Sequence, residues 1–372
     1  MKYLNKIFLP AIILQSVLIG GGFATGREIV QYGARFGPAG WMSGLAIFFG
    51  FTLMAILSFE ACRAWKLYDY KSLLKEMIGK GWIAYELSYI LLGILIIAVM
   101  ASAAGEILHT TLHLNVWVGI VMIIALVGFF NFMGEHFIAK MKTLGTVALF
   151  AAYTLFGLAV FGARGGEAMA TMAGGDYGLD TGNEIGYIVW TGITYVGYNL
   201  GVYPSAFFTI RTLATRTDSL VAGLLSGLLM TIPWFLTYLA LMAYYPDEAI
   251  LNAPVPWLIM LTPFGHFPVA VFGIVAGWTL VETATGVIHA FIGRIEVDVQ
   301  KKTGQPMRAK YKALIALVAL VAALMLARVG IIDLIAKGYT AMSYAMILFF
   351  AVPLLVFAPK LLFQHSPVEK NK

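Results

Sequence analysis

Two stretches of this chain place groups capable of chemistry inside otherwise apolar sequence. The first is Gly20-Gly21-Gly22-Phe23-Ala24-Thr25-Gly26, four glycines and a hydroxyl midway along a long apolar run. Glycine disfavours helix by about 1 kcal/mol relative to alanine, so the cluster predicts an opened turn. Opened backbone at membrane depth must be satisfied by protein or by a water-filled cavity. It can present amide N–H groups to anions and carbonyls to cations. Close helix packing through small residues accounts for a lone glycine cluster about as well. The second stretch, Trp278 to Gly286, sets Glu282 well inside another apolar run. Thr279, Glu282, Thr283 and Gly286 recur at helical spacing and share one face. A carboxylate at that depth costs at least ~2.5 kcal/mol on insertion scales, so it faces a partner or a cavity. Structural pinning by the neighbouring hydroxyls is the alternative.

Membrane helices must position these groups. Hydrophobic residues make up 60% of the 372 and charged residues only 12%, more apolar surface than a water-soluble domain can bury. The chain therefore reads as a polytopic membrane protein. Its net charge of +6 falls in loops flanking the apolar segments and carries no nucleic-acid signal. The single cysteine, Cys62, excludes an intrachain disulfide framework and a CxxC metal site. The histidines show no metal-ligand spacing, and no P-loop, GxSxG or HExxH occurs. Neither ATP-driven transport nor an enzyme activity is expected.

Ten apolar segments follow one another, at about 7–34, 40–64, 83–108, 115–133, 138–162, 185–210, 219–245, 267–292, 311–328 and 331–358. An amphipathic stretch, Leu67 to Lys80, is expected at the membrane interface. Gly162 to Asn183 reads as a solvated outer loop, and Pro246 to His266 as a short cap on the bundle. With the N-terminus cytoplasmic, the inner loops and tails, from Lys2 and Lys6 to Lys370 and Lys372, hold most of the 25 basic residues. Arg27, Arg35, Arg164, Arg328 and Lys337 remain outside or within spans. Acidic residues such as Glu167, Asp176, Asp180, Glu184, Asp247 and Glu248 gather on the other side. This basic bias and the even number of crossings put both termini in the cytoplasm and the protein in the plasma membrane.

The sixth segment repeats the disruption of the first. Gly197, Gly201 and Pro204 interrupt it, and proline removes a backbone donor. Interrupted helices at matching positions of two halves point to a transporter's binding site. Five segments per half require opposite insertion, giving inverted repeats at about 7–162 and 185–358 within one transmembrane domain.

Ten spans, broken first and sixth, with a cap after the seventh, resemble the LeuT fold of the amino acid–polyamine–cation superfamily. The run Gly21-Gly22-Phe23-Ala24-Thr25-Gly26-Arg27-Glu28 is similar to that of the YkvI-like bacterial membrane proteins. The resemblance implies a secondary transporter of a small amino-acid-like solute. The solute carboxylate would meet the backbone of Gly20, Gly21, Gly22, Phe23, Ala24 and Thr25. Tyr195, Tyr198 and Asn199 would lie opposite, with Ser102 contributed by the third helix. It also implies a cation site, with the Thr283 hydroxyl beside carbonyls of Val17 or Gly20. Glu282 departs from the usual hydroxyl pair, so it ligates Na+ or carries a proton. Arg27 matches a gating arginine by offset, with Asp333 as its counter-ion, and surface anchoring is the alternative for both. Lys142 on the fifth helix is a minor coupling candidate. No cofactor is expected beyond Na+ as a coupling ion. The partners are the solute, the cation and the lipid bilayer. A receptor subunit that binds an amino acid on this fold without transporting it is the other reading.

Overall fold

The computed structural model describes residues 2–132, 135–174 and 185–363. Of residues 2–5, 21, 132, 135–147 and 360–363 it describes the backbone alone. The expectations for Lys2, Lys140, Lys142, Lys360, Asp176, Asp180, Glu184, Lys370 and Lys372 therefore lie outside the described side chains.

The described residues are almost wholly helical. The first passage is split into α1 (Lys2–Leu18), α2 (Gly21–Ala24) and α3 (Arg27–Tyr32). A helical passage of the expected length follows in α4 (Trp41–Trp65), and then the short α5 (Tyr70–Ile78). The third to fifth passages are α6 (Trp82–Leu112), α7 (Val116–Phe132) and α8 (Glu135–Gly174). The sixth is α9 (Ile185–Asn199), continued by a 3-10 helix over Leu200–Thr212. After α10 (Arg216–Met242) come two short helices, α11 (Glu248–Leu251) and α12 (Pro256–Leu261). The long α13 (His266–Thr303) and α14 (Ala309–Ala327) are the eighth and ninth passages. The tenth joins α15 (Ile331–Asp333), α16 (Thr340–Met346) and α17 (Val352–Phe363) through two π-helical stretches, Leu334–Tyr339 and Ile347–Ala351. Among the described residues, seven helical segments are long and apolar enough to cross a membrane. Passage four, α7, is a single shorter apolar helix of 17 residues, and passages one and six are assembled from shorter pieces.

Local sequence explains where several elements begin and end. The Asp69 carboxylate accepts from Ser72 N–H at 2.9 Å and starts α5. Thr215 and Asp218 form a reciprocal capping box at the head of α10. Gly304 ends α13 in the left-handed conformation, φ 72°. The expected interfacial stretch is α5 itself, and its Leu73, Leu74 and Met77 are buried against the bundle. The expected cap is α11 with α12, anchored by buried Leu251, Trp257 and Leu258. The fifth helix runs on to Gly174 across a kink at Arg164, φ −134°, rather than ending at 162.

Charged pairs collect at the end of the bundle that carries α1's N-terminus. Lys6 meets Asp218 at 2.8 Å, Lys71 meets Asp298 at 2.8 Å, and Arg294 pairs with Glu86. Arg63 meets Glu60 at 2.6 Å at the same end.

Candidate functional site

The break in the first passage is real and short. α1 stops at Leu18, and Gly20 is extended, with φ −89° and ψ −169°. The first backbone bond into α2 runs from Ala24 N–H to the Gly20 carbonyl, 3.0 Å. Thr25 then folds back: its Oγ1 donates to the Gly22 carbonyl at 2.8 Å and accepts from Arg27 N–H at 3.1 Å. Gly26 has φ 81°, where a side chain would be strained, and it turns the chain into α3. The sixth passage is disrupted differently. Gly197 stays within α-helix, and the change to the tighter 3-10 geometry begins at Leu200, with Pro204 inside it.

A cavity of about 230 Å³ opens where these two passages meet α6, α13 and the tenth passage. Its floor carries Gly20, Gly22, Glu28, Tyr198, Asn199 and Tyr339, and its α13 wall carries Glu282, Thr283 and Gly286. Toward the end bearing α1's N-terminus the wall is loose. Ser16, Val17 and Ala290 are exposed there, and Val202 and Ser205 only half-buried. In the opposite direction the path is shut. Phe23, Ala24 and Thr25 are buried at 1%, 0% and 0% exposure.

That closure has named contacts. Arg27 Nη1 donates to the Leu251 carbonyl at 2.5 Å and to the Ala253 carbonyl at 3.3 Å, tying the first passage to the α11–α12 cap. Trp257 N–H reaches the Thr25 carbonyl at 3.5 Å, a long contact at the limit for a hydrogen bond. Tyr153 of α8 donates to the Phe23 carbonyl at 3.2 Å and contacts the Ala24 carbonyl. Its ring packs edge-on against Trp257, with centroids 5.4 Å apart. Asp333 is not Arg27's counter-ion. It pairs with Lys337 one helical turn away at 3.0 Å, both half-exposed or more, because that partner lies on its own helix.

The expected cation-site residues converge. A Cβ added to Gly20 would stand 3.1 Å from Thr283 Oγ1 and 3.3 Å from the Val17 carbonyl. Glu282 lines the same cavity. Thr279, on the shared face, bonds the Val275 carbonyl at 2.9 Å and lies outside the cavity wall. A hydroxyl, a backbone carbonyl and a nearby carboxylate make an oxygen-only set suited to a hard cation. Among the described residues, no cluster of three or more His, Cys, Asp or Glu side chains could hold a metal ion.

Sequence reasoning overlooked Glu28. This carboxylate is 5% exposed, yet it reaches the cavity wall. Tyr198 Oη donates to its Oε2 at 2.6 Å. Its Oε1 occupies the space beside Gly22 that a Cβ would need, and that Cβ would stand 3.6 Å from Tyr339 Oη. Tyr339 belongs to the first π-helical stretch of the tenth passage and stacks on Tyr198 at 4.4 Å. The signal was available, a carboxylate inside the first apolar segment two residues after Gly26. Of the other expected residues, Ser102 and Tyr195 are buried at 2% and 0% and do not line the cavity. Tyr195 instead packs edge-on against Tyr32 and Tyr198, at 5.3 Å and 5.5 Å. Gly21 forms the start of α2. Asn199 reaches the cavity while its amide donates to the Tyr195 carbonyl at 2.9 Å.

No protein-family model and no curated protein sequence matches the chain. Solved structures do. Mhp1 in an inward-facing conformation aligns over 94% of this chain and 77% of its own, at 16% identity and TM-score 0.59. A manganese transporter of Eremococcus coleocola, solved with an aromatic bis-isothiourea compound, aligns over 95% and 79%, at 11% identity and TM-score 0.58. A Na+-coupled sialic acid symporter in its substrate-bound outward-open state aligns over 96% and 86%, at 12% identity and TM-score 0.54. The chain has the LeuT-type fold of these proteins.

Proposed function

We propose that this chain is a secondary transporter that moves a small amino-acid-like solute together with Na+ or H+ by alternating access. One observation carries the reading: a single cavity touches both interrupted passages and is shut on one side while loose on the other. A protein that only held its helices together would not leave two carboxylates on such a cavity. The shut side is sealed by the arginine and aromatic contacts of a separate cap, an arrangement that can release as a unit.

In this reading the two halves, about 7–162 and 185–358, are inverted repeats in one plasma-membrane domain, and the termini are cytoplasmic. The cavity is then seen from the cytoplasmic side. The solute carboxylate meets the amides at the start of α2, while Val17, Gly20, Thr283 and Glu282 serve the coupling cation. The YkvI-like affiliation within the amino acid–polyamine–cation superfamily belongs to the same proposal. The test is uptake of labelled amino acids into proteoliposomes under an imposed Na+ or proton gradient. Gradient-dependent accumulation supports transport. Saturable binding without accumulation under either gradient overturns it in favour of a receptor subunit.

A further inference from the structure

The side chains around the cavity have a lopsided charge. Among the described side chains, Glu28 and Glu282 both line it, and no lysine, arginine or histidine does. An anionic solute would meet the Glu28 carboxylate with no basic side chain among the described cavity-lining residues to receive it. We propose that the cavity selects solutes by an ammonium group, and that Glu28 is the residue that reads it. This rests on the transporter reading only for what happens after binding.

Three observations place the ammonium at Glu28. First, the carboxylate is buried, and among the described residues it forms no ion pair; its one hydrogen bond comes from a neutral phenol, Tyr198. A buried carboxylate without a cationic partner is expensive, and a bound ammonium would complete it. Second, one oxygen is committed to Tyr198 while Oε1 faces Gly22 and the cavity. Third, Tyr339 lines the same place, with Oη 3.6 Å from the position a Cβ on Gly22 would take, and a phenol oxygen accepts from an ammonium. Tyr198 acts as a positioning residue, fixing the carboxylate's direction. Glu282, on the α13 wall with Thr283, is left to the coupling cation.

The test uses full-length protein in nanodiscs and matched solutes on three skeletons, those of valine, leucine and phenylalanine. Each is offered as the amino acid, the decarboxylated amine (isobutylamine, isoamylamine, phenethylamine) and the deaminated acid (3-methylbutanoate, 4-methylpentanoate, 3-phenylpropanoate). On at least one skeleton the amino acid and the amine should bind while the acid does not. Glu28→Gln should weaken that binding about thirtyfold or more, since it removes one partner of a buried charge pair. The variant keeps the volume and an acceptor for Tyr198, and its melting without solute reports whether it folds. The wild-type comparison needs no mutation and stands regardless. Tighter binding of the acids, or no binding by any amine, overturns the proposal. So does wild-type amine affinity in a folded Glu28→Gln protein that has lost only its pH dependence, because Glu28 would then carry a proton. Accumulation of the deaminated acids under a gradient would keep transport and sink the ammonium assignment. Glu28-dependent amine binding without any accumulation would do the reverse.

Discussion

Tyr198 Oη lies 2.6 Å from Glu28 Oε2, so a phenol of the sixth passage holds a carboxylate of the first. The two passages that sequence marks as interrupted thus meet through a side-chain hydrogen bond on the cavity wall. Any movement of one against the other must stretch or keep that bond. Tyr198→Phe removes it and leaves the carboxylate in place. A hydrogen bond to a charged group is worth about 1.5–3 kcal/mol, so the affinity for solute should fall roughly tenfold or more. Transport at saturating solute should fall less. Kinetics of uptake in the variant beside wild type check this, and an unchanged KM would detach Tyr198 from the site.

Arg27 holds the closure on the cap side through the carbonyls of Leu251 and Ala253. Arg27→Ala should release the cap and expose the path above Gly22. The readout is a cysteine at Ala24, which is fully buried, in a Cys62→Ala background. Labelling by an impermeant thiol reagent from the cap side should quicken about tenfold when Arg27 is lost, as expected for two broken charge-assisted bonds. A cysteine at the exposed Val17 should label readily from the opposite side, whichever residue stands at 27. Equal protection of position 24 with and without Arg27 would leave the closure to the aromatic contacts.

Space decides the next outcome. A Cβ at Gly22 would collide with the Glu28 carboxylate, whereas one at Gly157 on α8 meets nothing within 4 Å. Gly22→Val should therefore abolish solute-induced thermal stabilisation while the protein still inserts. Gly157→Ala should leave binding intact and raise stability by up to about 1 kcal/mol through helix propensity. Ordinary ligand stabilisation in Gly22→Val would assign the glycine to packing alone.

These contrasts show what the sequence could and could not disclose. The first break was legible because four glycines in seven residues act locally, and α2 needs no distant contact to be shifted from α1. The α13 face was legible for the same reason: the spacing of Glu282, Thr283 and Gly286 fixes a shared side of one helix. Glu28 was not, because its role arises when Tyr198, Gly22 and Tyr339 arrive from other parts of the chain. Ser102 and Tyr195 failed for a related cause. Helix rotation decides whether a residue faces a cavity or a neighbour, and that rotation is set by packing. Asp333 was assigned a distant partner when Lys337, four residues on, was nearer.

Coupling is the outcome that tests the α13 face most directly. Thr283 Oγ1 and the Val17 carbonyl both crowd the Gly20 backbone, and Glu282 shares their cavity. If these oxygens hold Na+, Thr283→Ala removes one of a small set, and the half-saturating Na+ concentration should rise about tenfold. Glu282→Gln should do the same or more, since it also removes the charge that offsets the ion. If Glu282 carries the coupled proton instead, the two variants part company. Glu282→Gln would still bind and exchange solute but lose accumulation driven by a pH gradient, while Thr283→Ala would keep it. We expect the sodium pattern, because the hydroxyl and the carbonyl both lie beside Gly20, where the first passage is open. Uptake measured against Na+ concentration and against pH, for both variants and wild type, separates the two. Wild-type coupling in both would remove this face from the mechanism and leave Glu282 a structural carboxylate.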